Sequence, residues 1–273
     1  MRKQALAGAL ALALTAAGAA GVVAQETPPT VDIDVTPKKM VVSGADALKG
    51  GPTRLAFDFA GRGEVGFVVM ELRPGVTRDQ VVKAAPRIKD PAAAEKRYGR
   101  FVASTFLGNA RKYATTITLK PATEYVIIDI TRRGAVRGGF TTGQEAGTAV
   151  APAPSVTVGL EDYGFDVPST VPRTGTMRVE NRGRVLHHML SFPLRKGVND
   201  KKLLRDLKAG KEPPRTAFAG PPSAPVEVVS PGTVNDVETL RRRGKVLFVC
   251  FLQDSPKKPP HAALGMAKVV TVE

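Results

Sequence analysis

The sequence predicts an all-β protein: two antiparallel β-sandwiches in tandem, each with a short inserted helix. Three observations carry this expectation. Short runs alternate apolar and polar residues at the two-residue period of a half-buried strand, as at 31–35 and 54–59. The 273 residues include 27 Gly and 22 Pro but only 5% aromatics, a balance that suits short strands joined by many turns. One order of elements, strands then a glycine then a helix then strands, is written twice, on either side of a small-residue stretch at 144–154.

The N-terminus stands apart from this pattern. Arg2 and Lys3 precede an Ala/Leu run at 5–14, and Val22, Val23 and Ala24 offer a cleavage site, so 1–24 reads as a secretory signal peptide. An uncleaved membrane anchor would need a more apolar run than this Ala- and Gly-rich one. No cysteine follows it to take a lipid. No later segment reaches membrane-spanning length, so the mature chain is expected to be soluble and extracytoplasmic, in the periplasm or cell envelope.

The first unit, 25–143, opens with the strands at 31–35 and 54–59 and a mostly apolar strand at 65–72. After Pro74 and Gly75 comes an amphipathic helix with Thr77 as N-cap, because a threonine hydroxyl there accepts an otherwise unpaired N–H of the first turn. A polar stretch runs to about Asn109, and strands follow at 113–119 and 124–130. The linker 144–154 carries two prolines. The second unit, 155–273, has strands at 156–158, 163–167, 176–181 and 186–192. Gly197 leads into a helix bearing Leu203, Leu204 and Leu207. A proline-rich stretch at 212–225 precedes strands near 226–229, 236–240, 245–251 and 267–272. The segment 63–67 (GEVGF) resembles 183–187 (GRVLH), which supports a tandem duplication.

The formal charge of +15 is spread over both halves, and no basic run is interleaved with aromatics. A nucleic-acid platform is therefore excluded in favour of an acidic partner or an anionic envelope surface. The triple Arg241-Arg242-Arg243 reads as a solvated turn before the cysteine strand, with a docking patch as the alternative.

The rare residues are the informative ones. Cys250 is the only cysteine, so it makes no internal disulfide, and His187, His188 and His261 are the only histidines. Met266 lies five residues after His261. A thiolate, imidazoles and a thioether suit a soft metal ion, copper above all. Taken singly, Cys250 reads as a small buried hydrophobe, Met266 as a core methionine and His261 as a surface loop residue. Jointly they read as a metal site. The first unit lacks it: Phe67 stands where His187 stands, and 128–143 contains no Cys, His or Met.

These residues carry a resemblance to the cupredoxins, the blue copper proteins such as plastocyanin and pseudoazurin. The run from Asn181 through Gly183 to His187 is similar to their turn before the first histidine ligand. The strand ending at Cys250 resembles their cysteine strand. Pro260-His261 and Gly265-Met266 resemble the second half of their ligand loop. The resemblance covers 155–273, the first half being a degenerate echo, and implies two Greek-key sandwiches. It further implies one type 1-like copper, with His187, Cys250 and His261 as trigonal ligands and Met266 as the long axial one. Zinc would not favour the methionine. Asn181 and His188 are implied supports, His188 taking a place where many members have asparagine. Neighbours on a strand face opposite ways, and His187 shares parity with Met189 and Ser191, so His187 is the expected ligand. Ten residues separate Cys250 from His261, a longer span than in the small electron carriers, and it includes Asp254, Lys257 and Lys258.

The resemblance also implies an electron exit at an exposed edge of His261, framed by an apolar docking rim that includes Pro260, Ala262 and Leu264. The expected function is single-electron transfer, or copper holding, with an acidic redox or copper-exchange partner. The rival is a copper-free β-sandwich binding or structural module with a relic site. Catalysis is not expected: three histidines cannot build the trinuclear cluster of a multicopper oxidase, and Cys250 has no adjacent histidine to join two coppers as in copper nitrite reductases.

Overall fold

The structure, a computed structural model, describes residues 26–60, 64–107, 111–131 and 137–273, the Glu227 side chain excepted. The expected signal peptide, 1–24, lies outside the described residues. The first half forms β1 (Thr30–Val35), β2 (Met40–Ser43), β3 (Gly51–Phe59), β4 (Val65–Leu72), α1 (Arg78–Ala84), α2 (Pro91–Tyr98), β5 (Gly99–Leu107), β6 (Lys112–Leu119), β7 (Glu124–Asp129) and β8 (Arg137–Thr141). The second forms β9 (Val156–Glu161), β10 (Gly164–Asp166), β11 (Thr170–Val171), β12 (Thr176–Asn181), β13 (His187–Pro193), α3 (Asp200–Lys208), β14 (Ser223–Val229), β15 (Val234–Glu238), β16 (Gly244–Val249), α4 (His261–Leu264) and β17 (Ala267–Val272).

Local chemistry explains the helices. Thr77 and Gln80 cap α1 reciprocally, each side chain accepting the other's backbone N–H, and Asn199 caps α3 by accepting from Lys202 N. Leu203 and Leu207 bury the inner face of α3 against Leu247, Val249 and Ala262. Helix α2 and strand β5 fall where the sequence reads only as polar. Asp90 accepts from Ala92 N and Ala93 N, with Pro91 just inside the helix, and starts α2. Strand β5 is buried on both faces, so it shows no two-residue alternation to read.

The strands form two layers. One sheet has the order β10-β9-β12-β15-β6-β3-β1-β2 and the other β11-β17-β16-β13-β14-β5-β4-β7-β8. Each order is nearly palindromic about its middle: β2, β1, β3 and β6 mirror β10, β9, β12 and β15, while β8, β7, β4 and β5 mirror β17, β16, β13 and β14. Only β11 has no counterpart.

This architecture adds one detail to the sequence expectation and corrects another. The halves are not built on separate sheets: both sheets run from one half into the other. Strand β15 pairs with β6, and β14 with β5. Two edges that would otherwise present unpaired N–H and C=O groups thereby satisfy one another. Side chains reinforce the seam: Ser104 Oγ donates to Val228 O at 2.6 Å, Thr105 Oγ1 to Ala224 O at 2.6 Å, and Asn235 Nδ2 to Val102 O at 3.0 Å. Nor are the sheets purely antiparallel. Strands β1 and β3, β9 and β12, and β11 and β17 pair in parallel. In the first of these, β2 turns back along one side of β1 and β3 then takes the other, so β3 runs with β1.

Each half has its own buried cluster between the layers. The first is aromatic, with Phe57 and Phe67 stacked at 3.6 Å between centroids. The second is aliphatic and sulfur-containing, with Met189, Phe248, Cys250 and Met266. Bulky rings thus fill the first core, and the second places its softest atoms at one end.

Candidate metal centre

Three loops meet at the end of the second half. The first is the turn from β12 to β13. Asn181 is buried at the end of β12, and its amide donates to Val185 O and Val229 O, both at 2.9 Å, while its Oδ1 accepts from Gly183 N at 3.0 Å. One asparagine therefore pins both ends of the turn that delivers His187 as the first residue of β13.

The second loop follows Cys250, just past β16, and runs to β17. Its long insert is held by its own backbone. His261 N donates to Leu252 O at 2.9 Å, Ala262 N to Cys250 O at 2.7 Å, Met266 N to His261 O at 2.9 Å, and Cys250 N to Met266 O at 3.1 Å. The single turn α4 ends at Gly265, whose φ of 119° suits a residue without Cβ. This network brings Cys250, His261 and Met266 together, and Met266 is buried at 0% exposure in the same cluster as Cys250.

The ligand atoms of His187, Cys250 and His261 lie within 4.8 Å of one another, all buried. His187 Nδ1 is 3.2 Å from His261 Nδ1, and Cys250 Sγ is 3.4 Å from His261 Nδ1. His188 takes no part in this cluster. It faces away, and its Nε2 accepts from Phe251 N at 2.6 Å while its own backbone N–H donates to Cys250 Sγ at 3.4 Å. It ties β13 to the cysteine loop from outside the cluster.

The third loop is the β9–β10 turn, whose residue types carry no signal in the sequence. Asp162 Oδ1 lies 3.7 Å from His187 Nε2 and accepts from Arg184 N at 2.7 Å, while Oδ2 accepts from Arg184 Nε at 2.8 Å. Tyr163 holds a left-handed φ of 67°, unusual for a bulky residue, and its ring meets that of His261 edge-on at 5.1 Å. Asp254, in the cysteine loop, lies with Oδ1 2.9 Å from His261 Nε2, and its Oδ2 accepts from Tyr163 Oη at 2.8 Å and Lys258 Nζ at 3.0 Å. The sequence reading noted Asp254 only as part of an insert.

Electrostatics follow from burial. Removal from water pushes the His187 imidazole down to about 4, with His261 beside it adding to the effect. Burial pushes His188 down to about 3. Burial disfavours the Asp254 carboxylate, but hydrogen bonds from His261, Tyr163 and Lys258 outweigh it and hold the group at about 2. His187 is thus neutral in the cluster. His187 Nδ1 and His261 Nδ1 face each other beside the sulfur, an arrangement that a cation between them would satisfy. His187 Nε2 makes no hydrogen bond among the described residues. The donor set of two imidazole nitrogens and one thiolate sulfur fits copper.

One expectation needs correcting. His261 has no exposed edge: it is 1% exposed, with Asp254 and Tyr163 over its outer side. Of the expected rim, Ala262 is buried against α3, Pro260 is half-buried, and Leu264 is exposed. The insert that lengthens the loop is what covers the histidine.

No protein-family model matches the chain, and no curated protein matches it. Among solved structures, it is similar to dithionite-reduced auracyanin from Roseiflexus castenholzii, with 19% identity over 45% of this chain and 99% of that one and a TM-score of 0.27. A multicopper oxidase shares 12% identity over 89% of this chain and 88% of its own, with a TM-score of 0.25. A copper-containing nitrite reductase from Thermus scotoductus shares 9% identity over 89% of this chain and 61% of its own, with a TM-score of 0.24. Likenesses this distant fix neither activity nor partner. What the chain itself shows is a two-layer β-sandwich with a buried His-Cys-His cluster whose donors could hold a metal ion.

Proposed function

We propose that this chain binds one type 1-like copper through His187, Cys250 and His261, with Met266 as a fourth donor, and transfers single electrons or holds copper in the cell envelope. The observation that carries this reading is the convergence of the only cysteine with two of the three histidines in one buried cluster. Copper bound there supplies a one-electron couple. The protein contributes a cavity fixed by Asn181 on one side and by the cysteine-loop backbone on the other, so the donors stay in place whatever the charge on the ion.

The covering of His261 favours copper holding, or slow electron exchange, over the fast transfer of a carrier with an exposed imidazole edge. Three histidines in the whole chain leave no set for a trinuclear copper cluster, which supports a role without catalysis of its own. The net charge of +15 suits an acidic partner or an anionic envelope surface. The N-terminal signal-like segment supports export, and no helix among the described residues is long and apolar enough to cross a membrane.

The test is a titration of the metal-free mature chain with Cu(II). Uptake of one equivalent with an intense thiolate-to-copper absorption, lost in Cys250→Ser, is the expected result. Uptake without colour would leave copper holding as the function. No uptake would return the chain to a copper-free binding module.

A further inference from the structure

We propose that Asp254 is a positioning residue for His261: it accepts a hydrogen bond from Nε2–H, leaves Nδ1 bare toward Cys250 and His187, and sets a fixed negative charge behind the histidine. The inference rests on the copper reading above and deepens it.

The two oxygens of Asp254 have separate tasks. Oδ1 faces His261 Nε2 at 2.9 Å, and Oδ2 takes both Tyr163 Oη at 2.8 Å and Lys258 Nζ at 3.0 Å. With its side chain 11% exposed, this carboxylate is largely removed from water, and such a group is tolerated only where donors replace the water it has lost. A simple surface ion pair with Lys258 would need neither the burial nor the histidine. The Tyr163 ring stands edge-on to the imidazole with a 72° angle between planes, which fixes the ring's rotation as well as its proton. Tyr163 reaches that place only through a left-handed backbone conformation that bulky residues avoid, so the β9–β10 turn bears strain at the point where it touches the centre.

Two consequences follow. An imidazole that donates one N–H to a carboxylate is a better base at its other nitrogen, and its tautomer is no longer free. A buried negative charge one ring away from a metal also stabilises the more highly charged oxidation state, so Asp254 favours Cu(II) over Cu(I).

Two variants separate orientation from charge in the full mature chain. Asp254→Asn keeps an acceptor of the same shape and removes the charge, whereas Asp254→Ala removes both. In the metal-free protein, imidazole nitrogen NMR is expected to show His261 as the Nε2–H tautomer in the wild type and in Asp254→Asn, and as a mixture in Asp254→Ala. In the copper-loaded protein, Asp254→Asn is expected to lower the Cu(II)-to-Cu(I) affinity ratio about tenfold, which is a rise in potential of ~59 mV for one electron. Tyr163→Phe, which keeps the carboxylate charge and removes one donor from Oδ2, is expected to move the potential the opposite way by less. A wild-type His261 protonated at Nδ1, or an unchanged potential in Asp254→Asn, overturns the inference. A chain that takes up no copper sinks the proposed function instead, and the tautomer measurement still decides whether Asp254 orients His261.

Discussion

Replacing Gly183 with alanine is expected to deprive the centre of copper while leaving the fold standing. Gly183 lies in the turn pinned by Asn181, four residues before His187. A Cβ there would sit 2.6 Å from His187 Nε2 and 2.6 Å from Asp162 Oδ1, against an ordinary contact of 3.4 Å or more, so about 0.8 Å has to be found. Asp162 is partly exposed and gives way readily, but His187 is at 0% exposure and can only move toward the other donors. Metal–ligand distances tolerate changes of about 0.2 Å, so this displacement exceeds the tolerance several-fold. Overpacking of this kind costs about 1–3 kcal/mol of stability, which a domain of ordinary stability survives. Copper affinity is expected to fall at least about 100-fold, at or beyond the upper end of what disturbing a ligand's support does. The assay is a competition titration with a copper chelator, read by absorption, with the urea midpoint measured in parallel. Gly164→Ala is the control, because a Cβ there meets nothing closer than Glu161 Cβ at 4.0 Å. A Gly183→Ala protein with wild-type affinity and spectrum would refute the placement of His187 against this turn.

Other outcomes follow from the same geometry. His188→Ala is expected to keep the copper colour and to lose about 1–3 kcal/mol of stability, because Phe251 N–H loses its acceptor, whereas His187→Ala loses the colour; a reversal would show that the two histidines have exchanged faces. In the metal-free protein, His187 and His188 titrate at about 4 and about 3 when folded, below the 6.5 of a free imidazole, so they bind fewer protons folded than unfolded. Stability is therefore full above about pH 6.5 and falls as the pH drops toward 4, His187 alone accounting for roughly 3 kcal/mol, and a flat urea-midpoint profile across that range would contradict the burial of both rings. Ser104→Val removes a hydroxyl that bonds Val228 O across the seam and also accepts from Val228 N. It is expected to lower the urea midpoint by an amount equivalent to about 1–3 kcal/mol without changing the slope. The second half produced alone, residues 155–273, is expected to aggregate or dimerise, since β14 and β15 become open edges; a stable monomer would mean that the seam contributes little.

The sequence made the β class legible because most strands bury one face and alternate accordingly, as β1 and β12 do. It hid β5, which the opposite sheet covers on one face and the α1–α2 cluster on the other. It also hid the joining of the halves, because edge pairing is made by backbone groups that every residue carries. The rare residues announced the cluster of His187, Cys250 and His261, and the Asn181–Gly183 turn was visible as spacing. The cover over His261 was not, since Tyr163 and Asp254 are common residue types. They acquire meaning only when the β9–β10 turn and the cysteine loop meet in space.

The most direct test of the central claim is X-ray absorption at the copper edge of the loaded mature chain. The expected inner shell holds one short thiolate sulfur and two imidazole nitrogens, and the sulfur contribution disappears in Cys250→Ser. A shell of nitrogen and oxygen alone, unchanged by that substitution, would contradict the account, because the copper would then be sitting somewhere other than the buried meeting point of His187, Cys250 and His261.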